Sequence, residues 1–97
     1  MASGAQGLPC YLVEWFRPEL SEEELNRIAA KLDESAQSMQ AEGSPVQRVM
    51  LLVVPGDEVV FGVFTASSAA VVARACERAG VIAERLTAGV AERVASA

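Results

Sequence analysis

Two consecutive apolar runs, Val49-Met50-Leu51-Leu52-Val53-Val54 and Val59-Val60-Phe61-Gly62-Val63-Phe64, are separated only by Pro55-Gly56-Asp57-Glu58. Side chains alternate between the two faces of a strand, so runs in which every neighbour is apolar need cover on both sides. Pro-Gly-Asp between β-branched and aromatic stretches joins them as a hairpin, with Gly56 expected to take the unusual backbone angle. The rest of the chain offers two amphipathic helices, enough for one face of a sheet. The other face needs a second layer, most simply another copy of the same sheet. The pattern therefore predicts an α+β architecture and a homodimer.

The segment from Leu8 to Phe16 alternates Tyr11, Val13 and Trp15 with Cys10, Leu12, Glu14 and Phe16, which reads as a strand ended by Pro18. Ser21 followed by Glu22, Glu23 and Glu24 is a capping box, with acids suited to the helix dipole. Leu25, Ile28, Ala29, Leu32, Ala36 and Met39 then recur at helical spacing and give one face to the sheet. Gly43-Ser44-Pro45 breaks that helix. Ser67 or Ser68 caps a second one, in which Val72, Cys76 and Ala79 form a stripe and Gly80 is the stop. From Val81 to Val94, Ile82, Leu86, Val90 and Val94 fit helical spacing, while Leu86, Ala88 and Val90 fit a strand; periodicity leaves both open. Residues 1–7 read as a flexible N-terminal tail and residues 8–95 as one domain. With a strand last, the order is the ferredoxin-like βαββαβ plan, a four-stranded antiparallel sheet with two helices on one face. Pairing the bare faces of two such sheets gives a dimeric α+β barrel.

A net charge of −5 with no Lys/Arg cluster argues against a phosphate-binding footprint, so neither nucleic acid nor an anionic membrane is an expected partner. The apolar runs fall far short of the roughly 20 residues that span a bilayer, and the first residues lack a basic start with an apolar stretch. The expectation is a soluble cytoplasmic protein. Cys10 and Cys76 stand outside any CxxC spacing, so no disulfide framework or zinc cluster is signalled. Histidine is absent, which removes the commonest general base and metal ligand and rules out Ser-His-Asp and Cys-His catalysis. No cofactor is expected.

Tyr11-Leu12-Val13-Glu14, Pro18 with Leu20-Ser21-Glu22-Glu23-Glu24-Leu25, Phe61-Gly62-Val63-Phe64-Thr65-Ala66, and Arg78-Ala79-Gly80 followed by Ala83-Glu84-Arg85-Leu86-Thr87 together resemble a family of small bacterial ferredoxin-like proteins, a domain of unknown function with a nickel-binding member. The resemblance runs from Tyr11 to Val94 and implies a strand for the last element. It also implies polar or ligating positions that this chain lacks: Ala75 stands at a frequent histidine, Gly62 at a cysteine, and Leu51-Leu52 at a Ser-Tyr pair. Nickel favours imidazole and thiolate donors, so the fold is expected here and the metal is not.

Glu14 is the first candidate site residue, since a carboxylate in an apolar strand must be paired, protonated or wet. In a pocket beneath the helices it would serve as an acid or base; otherwise Arg17, Arg48 or a backbone donor is its partner. Tyr11 and Trp15 share one strand face and suit a ligand pocket, an interface or a core. Cys76 lies on the inward stripe of the second helix, and Cys10 shares a strand face with Glu14. If the helix crosses that strand, Cys10, Glu14 and Cys76 converge on a soft-metal site. The leading functional expectation is a small dimeric, non-catalytic binding or accessory protein for a small apolar or aromatic ligand. The alternatives are a cofactor-independent barrel enzyme of the monooxygenase type, using Glu14, Tyr11, Trp15 and Asn26, and a nickel-binding protein. A cavity of at least about 300 Å³ touching Glu14 would favour ligand binding or catalysis, and a filled interior an assembly role.

Overall fold

A computed structural model describes residues 8–90; the expected tail, 1–7, and the end of the last element, 91–94, lie outside the described residues. The order is β1 (Cys10–Phe16), α1 (Glu22–Ala41), β2 (Val46–Val54), a 3-10 turn (Pro55–Asp57), β3 (Val59–Ala66), α2 (Ala69–Arg78) and β4 (Arg85–Val90). The strands form one antiparallel sheet in the order β2-β3-β1-β4. This is the expected ferredoxin-like fold.

Local chemistry sets each boundary. The Ser21 hydroxyl accepts the Glu24 N–H at 3.0 Å, and the Glu24 carboxylate accepts the Ser21 N–H at 3.2 Å, a complete capping box. Ser68 caps α2 by accepting from the Val71 N–H. Leu32, Ala36 and Met39 from α1 meet Val72, Ala75 and Cys76 from α2 over the sheet residues Tyr11, Val13, Trp15, Val46, Val60 and Phe64. The Ser35 hydroxyl, buried in this layer, donates to the Ala75 carbonyl at 2.8 Å and ties the helices together.

The starts of two strands differ from what the sequence pattern predicts. Strand β1 starts at Cys10, past Pro9, and β2 starts at Val46, directly after Pro45, because alternation extends back through Gln47 and Arg48. A register shift between Arg48 and Met50 leaves Val49 as a bulge. At the hairpin the left-handed angle falls on Glu58, φ 56°, and not on Gly56: the 3-10 turn keeps Gly56 out of that region, and Glu58 makes the return into β3. The last element is a strand. Gly89, φ 75°, sits where the β1–β4 register shifts, and Ile82, which a helical stripe would bury, is 70% exposed.

Candidate functional site

Alternation along β1 divides the candidate residues between two environments. Tyr11, Val13 and Trp15 face the helices; Cys10, Leu12, Glu14 and Phe16 take the opposite side. Trp15 is 2% exposed, and its indole N–H donates to the Val81 carbonyl at 2.9 Å. The ring lies over Gly62, where a Cβ would come within 2.9 Å of Trp15 Cζ3. Cys76 reaches the same core from α2, and burial pushes its thiol up from 9.0 to about 12, far from the thiolate needed for metal binding or nucleophilic attack. The space between sheet and helices, where a ligand cavity was one expectation, is occupied by these side chains.

Cys10, Glu14 and Cys76 therefore do not converge, because the sheet lies between the first two and the third. Among the described residues no group of three or more His, Cys, Asp or Glu side chains is arranged to hold a metal ion. Asn26 is exposed on α1, while Tyr11 and Trp15 are in the core, so the four polar groups named for a barrel enzyme are also dispersed. Glu14 is half-buried on the open side, opposite Phe61 on β3 and Arg85 on β4. Arg48, one of its expected partners, instead makes a two-pronged ion pair with Asp33 of α1, both contacts at 2.8 Å. The backbone of Glu14 holds the approach to β4, its carbonyl accepting the Glu84 N–H at 3.0 Å. The Glu84 carboxylate accepts the Phe16 N–H.

The open side of the sheet is a continuous apolar surface. Register places Leu12 beside Val63, Phe16 beside Val59, Met50 beside Val63, Leu52 beside Phe61 and Val54 beside Val59. Phe16 is 53%, Met50 48% and Leu52 54% exposed. Neither helix reaches this side. The charged residues on this side, Glu14 of β1 and Arg85 at the start of the edge strand β4, are cross-strand neighbours of opposite sign.

Among the described residues, grooves also lie elsewhere on the surface, three of them with no lining from Glu14. One of about 410 Å³ lies beside the Asp33–Arg48 pair. A second, of about 510 Å³, runs between α1 and α2 past Arg78, whose guanidinium hydrogen-bonds Glu42 at 2.8 Å and holds that carboxyl below its ordinary value. The third, about 250 Å³, lies where β1 turns into α1 and includes Arg17 and Glu58. The sequence pattern does not single out these two as a site: Arg17 is there a candidate partner for Glu14, and Glu58 closes the short connection between the two apolar runs. The adjoining Arg17-Pro18 step was the available signal that the strand ends there with a cation.

The fold defines a small ferredoxin-like α+β protein, one sheet backed by two helices. The chain is similar in structure to SCO4226 from Streptomyces coelicolor A3(2), with a TM-score of 0.70 and 14% identity over 87% of this chain and 99% of that one. No protein-family model and no curated protein matches the sequence. No helix among the described residues is long and apolar enough to cross a membrane.

Proposed function

We propose that this chain is a non-catalytic accessory protein that works as a pair, two copies joined through the open faces of their sheets. The observation that carries this reading is the exposure of Phe16, Met50 and Leu52 on a face that the chain's own helices leave bare. Contiguous apolar patches of several hundred Å² on a folded protein mark interaction surfaces. Four strands spaced about 4.8 Å apart and about seven residues long make a planar patch of about 450 Å². Side-chain relief raises the accessible area towards the ~800 Å² per partner of a standard interface.

A second copy fits this face better than an unrelated partner because the face carries one charge of each sign. In a two-fold pairing the same surface serves both protomers, so Glu14 of one copy can answer Arg85 of the other. The filled interior supports an assembly role over the enclosure of a ligand beneath the helices.

Size-exclusion chromatography with light scattering tests the reading. The protein is expected at twice the 10.2 kDa chain mass at micromolar concentration, and Leu52→Glu, which puts a charge onto the apolar pairing surface, is expected at the monomer mass with an unchanged far-UV spectrum. A wild-type monomer at that concentration, or a folded Leu52→Glu dimer, would refute it. Met50→Asp gives the same comparison if Leu52→Glu does not fold.

A further inference from the structure

The groove at the end of the sheet combines three unusual features. Its apolar wall includes Leu20, Val53 and Val60, and Arg17, Glu19 and Glu58 supply its charges. The Arg17 Nε atom is shut off from solvent and has no hydrogen-bond partner among the described residues, although a buried donor is ordinarily satisfied. Glu19 and Glu58, both at φ 56°, are the two non-glycine residues with left-handed backbone among those described, a conformation uncommon outside glycine, asparagine and aspartate. The Arg17 N–H donates to the Glu58 carbonyl at 2.8 Å, so the two charged residues are fixed next to each other by the backbone.

The groove's three charges narrow the class of ligand. An anion alone would satisfy Arg17 but meet two carboxylates. A cation alone would suit the carboxylates but leave the buried Arg17 donor unmet, and an apolar molecule would satisfy none of the three. A molecule with both charges and an aliphatic body answers them all, and a volume of about 250 Å³, just under the ~300 Å³ at which drug-sized pockets begin, limits it to metabolite size. We propose that this groove binds a free α-amino acid with a branched aliphatic side chain, its carboxylate on Arg17, its ammonium group against Glu19 and Glu58, and its side chain on Leu20, Val53 and Val60. An arginine fork suits a planar carboxylate. The site lies at the end of the sheet, where Val54 and Val59 of the face proposed for pairing reach its edge, and the charges that define it, on Arg17, Glu19 and Glu58, do not rest on that pairing.

Isothermal titration of the full chain with L-leucine, 4-methylpentanoate and 3-methylbutylamine separates the contributions. Leucine is expected to bind, and 4-methylpentanoate, which lacks the ammonium group, and 3-methylbutylamine, which lacks the carboxylate, to bind at least about tenfold more weakly. Arg17→Met should abolish leucine binding. Glu58→Gln should weaken leucine about tenfold while leaving 4-methylpentanoate unchanged or tighter, and it carries the test if Arg17→Met does not fold. No heat with leucine at millimolar concentration, equal binding of the three compounds, undiminished leucine binding by folded Arg17→Met, or undiminished leucine binding by Glu58→Gln would overturn the proposal.

Discussion

Gly62→Ala tests the packing that closes the interior. The added Cβ would lie 2.9 Å from Trp15 Cζ3, 3.0 Å from Trp15 Cη2 and 3.0 Å from Phe64 Cε1, against about 3.5–4.0 Å for a comfortable carbon contact. The indole must retreat by roughly half an ångström or more to restore that spacing, and it is not free to do so, because its N–H is held by the Val81 carbonyl. Overpacking of this kind costs about 1–3 kcal/mol. Glycine replacement in the unfolded chain offsets about 0.4–1 kcal/mol of it. The expected net loss is about 1–2 kcal/mol, or a fall in Tm of about 4–16 °C for a domain of this size. Urea unfolding followed by circular dichroism, and by the emission of the chain's single tryptophan, measures both the loss and the ring's displacement. All samples need one protein concentration, since self-association would shift the apparent stability. Trp15→Phe, which opens space over Gly62, should lessen the effect of the alanine, giving a coupling of at least about 0.5 kcal/mol in the double-mutant cycle. A Gly62→Ala variant with the wild-type midpoint and unchanged emission would refute the account.

Two further outcomes follow from local geometry. Ser21→Ala removes the hydroxyl that accepts the Glu24 N–H and should destabilise the fold by about 1 kcal/mol in the same urea assay, with Ser21→Asp restoring most of it; an alanine variant as stable as wild type would count against the capping box as the anchor of α1. With Cys10 replaced by serine, Cys76 should resist iodoacetamide at pH 8 until denaturant is added, since burial pushes its thiol up to about 12 and only the thiolate reacts. The same displacement has a stability consequence with a definite sign. The folded state holds the thiol proton more tightly than the unfolded state does, so this contribution is complete below about pH 9 and is lost as pH rises towards 12. Alkaline destabilisation between those values should be steeper in the wild type than in Cys76→Ala, and parallel pH profiles would contradict it.

The fold was legible wherever one physical pattern had no competitor. Ser21 with Glu24 marks a helix start unambiguously, and Val49–Val54 and Val59–Phe64 are too uniformly apolar to be amphipathic helices. The final element was not legible from periodicity, since Leu86 and Val90 satisfy periods of two and of nearly four. Its strand form depends on pairing with β1, a long-range event that local spacing does not encode. The hairpin misled in a different way. Gly56 was the natural residue for a left-handed angle, but Pro55 starts a 3-10 turn and the angle moves to Glu58. The candidate site was the least legible. Alternation alone places Cys10 and Glu14 on one face and Tyr11 and Trp15 on the other, yet which face the helices cover is a tertiary choice. That choice separates Cys76 from Cys10 and Glu14 and buries both aromatic residues. The Arg17–Glu58 groove forms only when the β1 end and the β2–β3 turn meet, residues about 40 positions apart whose proximity no local pattern reveals.

A βαββαβ sheet can hold a reaction or a ligand between its helices and its strands only if that layer leaves room. In this chain the glycine at position 62 does the opposite of opening a cavity. By omitting a Cβ it lets the Trp15 ring settle onto β3, and the bond from the indole N–H to the Val81 carbonyl fixes the ring there while tying the segment ahead of β4 to the core. Emptying that space would mean displacing the ring, leaving a buried carbonyl and a buried indole donor unsatisfied at about 1–3 kcal/mol each, a large share of a small domain's stability. The interior is thus held shut by the same contacts that stabilise the fold. The features that depart from ordinary stability rules, an apolar sheet face open to water and a rim where the Arg17 Nε lacks a partner among the described residues and Glu19 and Glu58 take left-handed backbone, lie outside it. Departures of this kind are where function is expected to be found in a sequence that is otherwise locally consistent.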